Sequence, residues 1–279
     1  MIKKRPGDTE LTPWIWRSKA GRITVIIALP HRRVKVYQAA TSKHAHFLRQ
    51  VLSRPDLAGK FHRLLFTWQR FVAAEWVEGS SLERSSAIEL YPVVDWMASF
   101  QASLHTESPF AGSDDVGFDY VRWLQSEIFQ HAPADADLSP MSELGAVAAS
   151  APAQPVGLCH PDVTPGNIIR EATTGELKLV DNELLTQSAQ FLLDLCNTCY
   201  SLRTSPGLMN HYLHQYGSLR GRLYLPNGWQ HSLAAAWALR MIATHFRHKD
   251  FTQGLELLHG WEQGRDGIIA AIDSVLRAS

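Results

Sequence analysis

The chain has 279 residues, and its 27 basic and 27 acidic side chains give a formal net charge of zero, with hydrophobic residues making up 45% of the total. This composition excludes a largely disordered chain, and it provides no overall attraction to nucleic acid or to an anionic membrane surface. No apolar run approaches the roughly 20 residues of a membrane-spanning helix. The basic residues 3–5 are followed by Pro6, Gly7 and Asp8, so we expect no export signal and a cytoplasmic protein.

The first third of the chain has the composition of β-strands. Five apolar and β-branched runs are separated by turn residues, and they span 14–16, 23–27, 34–37, 61–66 and 71–77. Between the third and fourth runs, Thr41 or Ser42 can cap a helix that stops before Pro55. We therefore predict a β-rich unit over residues 1–80, with five strands and one helix.

From about residue 84 the apolar spacing changes to that of longer helices, as at Leu90, Val94 and Met97. Residues 132–155 are rich in Ala, Ser and Pro, which predicts a helix flanked by loops. We therefore predict an α+β chain in which residues 81–279 form a larger, mainly helical unit.

The three cysteines are Cys159, Cys196 and Cys199. An odd number fits reduced thiols better than a disulfide framework. The spacing of Cys196 and Cys199 could belong to a redox pair or to half of a zinc site, but no second pair of ligands follows at the right spacing. We interpret them as small apolar side chains packed in a buried helix.

The most informative segment spans residues 156–183. Its apolar pieces 167–169 and 177–180 predict a hairpin, and a hairpin would bring Asn167 and Asp181 side by side, with Asp162 on the loop before them. Phosphoryl transfer requires a carboxylate to orient the attacking hydroxyl, and carboxylate and amide oxygens to hold magnesium against the phosphates. Asp162 and Asn167 alone would also suit an ordinary turn, and Asp181 is what favours the catalytic interpretation.

The pattern His160-x-Asp162, then Asn167, then an apolar strand ending in Asp181 resembles the catalytic loop and metal-binding turn of the aminoglycoside phosphotransferase and choline kinase superfamily, which is related to protein kinases. The resemblance implies a two-lobed protein-kinase-like fold, with a small antiparallel-sheet N-lobe and a mainly helical C-lobe. It also implies a small-molecule kinase that uses Mg²⁺ and a nucleoside triphosphate, ATP or GTP, to phosphorylate a hydroxyl group.

By the same resemblance, Asp162 would be the catalytic base and His160 a support for its loop. Asn167 and Asp181 would be magnesium ligands, and Glu183 would be a second acid near the metal or the substrate. Asp194 would be a structural acid that binds the catalytic-loop backbone.

The resemblance extends to two points in the β-rich unit. Lys35 would pair with the α- and β-phosphates, although by itself it could be a solvated strand lysine. The segment Glu75, Trp76 and Val77 would form the hinge whose backbone binds adenine.

Two departures from the family pattern favour an alternative, a catalytically weak kinase-like module that binds a nucleotide or another ligand. The turn at 18–22 has one glycine where relatives have several, and the helix after Lys35 has His44 and His46 where a glutamate is usual. The set of Asp162, Asn167 and Asp181 favours the enzyme. A protein kinase is disfavoured by the His-Pro-Asp loop and by the absence of an Asp-Phe-Gly turn.

The region after Glu183 is slightly basic, which favours a neutral, sugar-like or anionic acceptor over a polycationic aminoglycoside. Acids at Asp114, Asp115 and Asp119 could offset that balance. A choline acceptor would instead need an aromatic cage, which tryptophans of the helical unit could supply. The expected partner is a small hydroxyl-bearing molecule, with a homodimer as an open alternative and no nucleic acid.

Overall fold

The computed structural model describes residues 14–17, 23–57, 59–82, 85–104, 119–150, 157–188, 192–220, 229–264 and 266–267. The chain forms two compact units. The first unit contains residues 1–81 and 168–183, and the second contains residues 82–167 and 184–279. The first unit ends at residue 81, one residue beyond the expected boundary. It also includes the segment 168–183, which we expected in the helical unit.

The described strands lie mostly in the first part of the chain and the helices mostly after residue 86, as expected. The strands are β1 (Trp14–Arg17), β2 (Ile23–Leu29), β3 (Arg32–Gln38), β4 (Leu64–Trp68), β5 (Phe71–Glu75), β6 (Gly79–Ser81), β7 (Gly157–Cys159), β8 (Ile168–Glu171), β9 (Leu177–Leu179) and β10 (Thr186–Ser188). The helices are α1 (Ser42–Leu52), α2 (Ala87–Leu104), α3 (Tyr120–His131), α4 (Met141–Ala149), α5 (Leu192–Leu202), α6 (Pro206–Arg220), α7 (Trp229–Arg247) and α8 (Phe251–His259).

The first unit is built on a five-stranded antiparallel sheet in the order β1-β2-β3-β5-β4. Helix α1 packs on β4 and β5, and its N-terminus is capped by Thr41, whose hydroxyl accepts a hydrogen bond from the His44 amide at 3.0 Å. The buried face of α1 includes Phe47, Leu48 and Val51. The five predicted strands and the helix are present, but the fourth strand spans Leu64–Trp68 instead of 61–66, and a further strand, β6, begins at Gly79.

A second sheet of the first unit contains the predicted hairpin. Strand β8 pairs with β9 on one side and with β6 on the other, all antiparallel. Gly175 supplies the positive φ of 73° that the hairpin turn requires. At Gly79 a side chain is excluded, because a Cβ atom would lie 2.1 Å from the Arg170 carbonyl oxygen. One detail of the prediction was wrong: Asn167 belongs to a 3₁₀ turn that precedes β8.

The second unit is mainly helical, as predicted. Helix α2 packs against α6, and α7 packs against α3, α4, α5 and α8, while β7 and β10 form a short antiparallel pair. The helix expected within residues 132–155 is α4. Cys159, Cys196 and Cys199 are all buried and form no disulfide, and the burial of Cys196 and Cys199 in α5 confirms that these two pack in a buried helix. Within the described residues, no helix has both the length and the apolar character needed to cross a bilayer.

Candidate active site

Lys35 forms an ion pair inside the first unit. Its Nζ lies 3.2 Å from Oδ1 of Asp181 and donates a second hydrogen bond to the Val180 carbonyl at 3.1 Å. Lys35 is buried, so the alternative of a solvated strand lysine is wrong. Helix α1 contains no glutamate. The acid that pairs with Lys35 is Asp181, two residues after the end of β9.

Near this ion pair, Tyr37, His62 and Asn182 form a buried cluster of polar side chains, which no sequence pattern indicated. Nζ of Lys35 is 5.2 Å from the ring centroid of Tyr37, whose pKa is raised above its usual range by burial and then by the charges of Asp181 and Glu183. Burial, followed by the Lys35 charge, lowers the pKa of His62 to about 3, so this imidazole is neutral at pH 7. Nδ2 of Asn182 donates to Nε2 of His62 at 3.2 Å.

In the second unit, Asp162 and Asn167 are in direct contact. Nδ2 of Asn167 donates to Oδ2 of Asp162 at 2.8 Å and to its carbonyl oxygen at 3.0 Å. His160 is buried, and its Nδ1 accepts a hydrogen bond from the Asp162 amide at 3.2 Å. Since the amide nitrogen of Asn167 is bound to Asp162, its amide oxygen Oδ1 is directed away from that carboxylate.

Helix α5 holds the same loop from behind. Asn197 donates a short hydrogen bond to the Pro161 carbonyl, and Thr198 donates to the Val163 carbonyl at 2.9 Å. Oη of Tyr120 in turn donates to Oδ1 of Asn197 at 2.8 Å. The sequence suggested Asp194 for this role, but its side chain lies outside the part that the structure describes. No pattern in the sequence distinguishes Asn197 or Thr198 from ordinary helix residues.

The segment 75–77 was the expected adenine-binding hinge. The amides of Glu75 and Trp76 already donate to the Arg63 and Arg33 carbonyls, each at 2.9 Å. Arg63, by hydrogen bonding, and then Arg32 lower the pKa of the Glu75 carboxyl, which forms ion pairs with both. Val77 lies two residues beyond the end of β5. The turn at 18–22 lies outside the described residues.

Comparison with known proteins identifies the family. A family model described as "Phosphotransferase enzyme family" matches residues 56–226, which include His62, Glu75, Asp162, Asn167 and Asp181. The chain belongs to the phosphotransferase enzyme family. No curated protein sequence matches it.

Solved structures show the fold of this phosphotransferase. It aligns with an aminoglycoside phosphotransferase from Alicyclobacillus acidocaldarius over 98% of this chain and 94% of the other, at 18% identity and a TM-score of 0.58. It aligns with the choline kinase LicA from Streptococcus pneumoniae over 94% of each chain, at 15% identity and a TM-score of 0.61. These similarities confirm the two-part kinase-like fold that the sequence predicts.

The oxygen donors of the phosphotransferase suit magnesium. Asp181 is half-buried, Glu183 lies in the next turn, and Asn167 has an amide oxygen directed away from Asp162. Mg²⁺ prefers a few carboxylate and amide oxygens and keeps other positions for water and phosphate oxygens. Within the described residues, no three His, Cys, Asp or Glu side chains form a metal-binding cluster of their own.

Proposed function

We propose that this phosphotransferase transfers the γ-phosphate of a nucleoside triphosphate, ATP or GTP, to the hydroxyl group of a small acceptor. The observation that carries the proposal is the contact between Asp162 and Asn167. This hydrogen bond fixes the plane of the carboxylate that accepts the acceptor's proton, while His160 and Asn197 fix its loop. A base held in one orientation is what general-base catalysis requires.

In the reaction, the acceptor oxygen attacks the γ-phosphorus, and the bond between that phosphorus and the β–γ bridging oxygen breaks. The proton of the hydroxyl moves to Asp162, and a nucleoside diphosphate leaves. Asp181, Asn167 and Glu183 would be the ligands of magnesium, which would neutralise charge at the phosphates. Lys35, positioned by Asp181, binds the α- and β-phosphates.

An adenine nucleotide is supported by two relatives of known structure. The choline kinase LicA has been solved with AMP, and a spectinomycin phosphotransferase, which aligns at 11% identity over 95% of this chain and 88% of its own with a TM-score of 0.54, has been solved with ADP. We propose that the Val77 backbone binds the base.

The alternative of a catalytically weak binding module loses one of its two supports. It relied partly on the missing glutamate of helix α1, which would leave Lys35 without an acid. Because Asp181 pairs with Lys35, the lysine is held without that glutamate.

The proposal is tested by nucleotide turnover with magnesium in the presence of pools of sugars, amino alcohols, nucleosides, aminoglycosides, hydroxy acids and sugar phosphates. We expect one pool to stimulate turnover, and Asp162→Asn to reduce it by roughly 100- to 10,000-fold. Asp181→Ala should abolish the dependence on magnesium along with the activity. Asp135→Asn is the matched control, because this exposed aspartate of the second unit lies outside the site.

If no pool stimulates turnover and magnesium nucleotide leaves the melting temperature unchanged, the enzymatic proposal is wrong. A nucleotide that raises the melting temperature without any turnover would instead support the binding module.

A further inference from the structure

Arg240, on helix α7, is a cation with no acid beside it in the described part of the chain. Its Nε and Nη1 atoms are buried and have no hydrogen-bond partner among the described residues. Arg247, two turns later on the same helix, shows the usual solution: its Nη2 lies 2.5 Å from Oε2 of Glu127. Because unpaired buried donors are costly, above all on a charged group, Arg240 needs a specific explanation.

Two aromatic rings flank the Arg240 guanidinium. Its central carbon lies 5.1 Å from the ring centroid of Tyr200 and 5.7 Å from that of Trp123. Arg203 also stacks on Tyr200, at 3.9 Å. Ring faces stabilise the charge but accept no strong hydrogen bond in the plane of the guanidinium. A carboxylate or a phosphate does so with two parallel bonds, which is the geometry that arginine favours.

Arg240 is connected to the catalytic loop within the second unit. Trp123 stacks on Tyr120 with ring centroids 5.7 Å apart, and Tyr120 binds Asn197, which holds Pro161 next to Asp162. Burial raises the pKa of Tyr120 well above its usual range, and among the further influences the Arg240 charge lowers it while the Asp162 charge raises it. The ring contacts and hydrogen bonds therefore link Arg240 to the loop that carries Asp162.

We propose that the acceptor is a small hydroxylated anion, whose carboxylate or phosphate group pairs with Arg240 while its hydroxyl group lies at Asp162. The placement of the hydroxyl rests on the proposed function, whereas the binding of the anion does not. Trp123, Tyr200 and Arg240 are each half-buried, so part of this cluster is exposed to solvent.

The same geometry disfavours cationic acceptors. An aminoglycoside or an amino alcohol would bring positive charge against Arg240 and Arg203. An aromatic cage for choline needs unoccupied ring faces, and the Tyr200 ring is already flanked by both guanidinium groups. The aromatic-cage alternative from the sequence therefore does not apply to this cluster.

Binding is tested without catalysis by ligand-observed NMR on four pools: hydroxy and sugar acids, sugar and polyol monophosphates, neutral sugars and polyols, and amino alcohols with aminoglycosides. Each hit is then titrated against wild type, Arg240→Gln, Arg240→Lys and Arg122→Gln. The last variant removes an exposed arginine of α3 and serves as the matched control.

We expect hits from one of the two anionic pools, and which pool responds distinguishes a carboxylate from a phosphate. Arg240→Gln should raise the dissociation constant roughly ten- to a hundredfold, Arg240→Lys should raise it less, and Arg122→Gln should leave it unchanged. Hits confined to the neutral or cationic pools, no hit in either anionic pool, or equal binding by Arg240→Gln would overturn the proposal.

The two proposals can fail separately. If anions bind through Arg240 but no pool is phosphorylated, the anion site stands and the kinase proposal falls. If a neutral or cationic acceptor is phosphorylated and Arg240→Gln leaves its KM unchanged, the kinase proposal stands and the anion site falls. If both are correct, Arg240→Gln raises the KM for the anionic acceptor with little change in kcat.

Discussion

Lys35 in the first unit and Arg240 in the second are both cations beside tyrosine rings, at 5.2 Å from Tyr37 and 5.1 Å from Tyr200. Lys35 has a carboxylate 3.2 Å away. Arg240 forms no ion pair with any described acid, and two of its buried nitrogens have no hydrogen-bond partner among the described residues. Both cations therefore lie beside a tyrosine ring, but only the charge of Lys35 is compensated by a described carboxylate.

The difference separates two ways of preparing a charged site. Lys35 is held by a carboxylate of its own chain, so its position is fixed before a ligand arrives. Arg240 lacks that partner, so the free protein is less stable than it could be and a ligand anion can supply the missing interaction. Substitutions at the two positions should accordingly change the stability of the free protein in opposite directions.

The largest effect should come from Lys35→Met. We expect turnover to fall at least roughly 100-fold, because the phosphates lose a positioned charge. Stability should also fall by about 1–2 kcal/mol, since Asp181 keeps its charge without its partner but is partly hydrated. Steady-state kinetics and urea unfolding measure the two changes.

Lys178→Met is the control for Lys35→Met, because it removes a lysine that pairs with Glu171 at 2.9 Å in the other sheet of the same unit. Turnover should stay at the wild-type level in this control. An equal loss in both variants would show that Lys35 acts through folding alone.

The next largest effect is on stability and should come from Tyr120→Phe, which removes the hydrogen bond from the Tyr120 hydroxyl to Asn197. Oδ1 of the buried Asn197 then has no donor, and we expect a loss of about 1–3 kcal/mol. Thermal unfolding should show a fall of roughly 2–10 °C. An unchanged melting temperature would contradict the support that we assign to this bond.

A smaller effect, of opposite sign, should come from Arg240→Met. The substitution replaces an uncompensated charge by an apolar side chain of similar length, so the melting temperature of the ligand-free protein should stay the same or rise by roughly 1–3 °C. A loss as large as that of Tyr120→Phe would show that Arg240 is mainly structural.

A further expected effect is a pH dependence of stability near Lys35. His62 has a pKa of about 3 in the folded protein and near 6.5 when unfolded, so between these values the unfolded chain binds one more proton. The stabilisation by neutral His62 is fully present above about pH 6.5 and is lost as the pH falls towards 3. The free energy of unfolding, measured with urea from pH 4 to 7, should change less with pH in His62→Gln than in the wild type. An equal pH dependence in the two proteins would contradict this role of His62.

The fold could be predicted because it depends on local patterns. Alternating apolar residues indicated the strands, and the turn before Glu176 indicated the hairpin. Asn167 and Asp181 flank that hairpin, and Asp162 lies on the loop before it. The contacts of these residues were less predictable. Lys35 and Asp181 are far apart in sequence, so the pattern could show a missing glutamate but not the acid that replaces it.

Other parts of the site depend entirely on tertiary packing. His62, Asn197 and Thr198 carry no pattern that separates them from ordinary strand or helix residues. Arg240 is one of several arginines in the helical region, and what distinguishes it is the absence of an acid among its described neighbours. The acids at 114 and 115, which the sequence raised as a counterweight, lie outside the described residues, while Asp119 caps α3 through the Arg122 amide at 2.9 Å.

The burial of the three thiols has a practical consequence. All of the cysteines lie in the second unit, in β7 and α5, and burial raises the pKa of Cys196 to about 11 and that of Cys199 well above its usual range. A thiol-labelling reagent can therefore react only when that unit opens. The unmodified chain thus contains its own kinetic probe, whose labelling rate measures transient opening of the helical unit while the β-rich unit gives no signal.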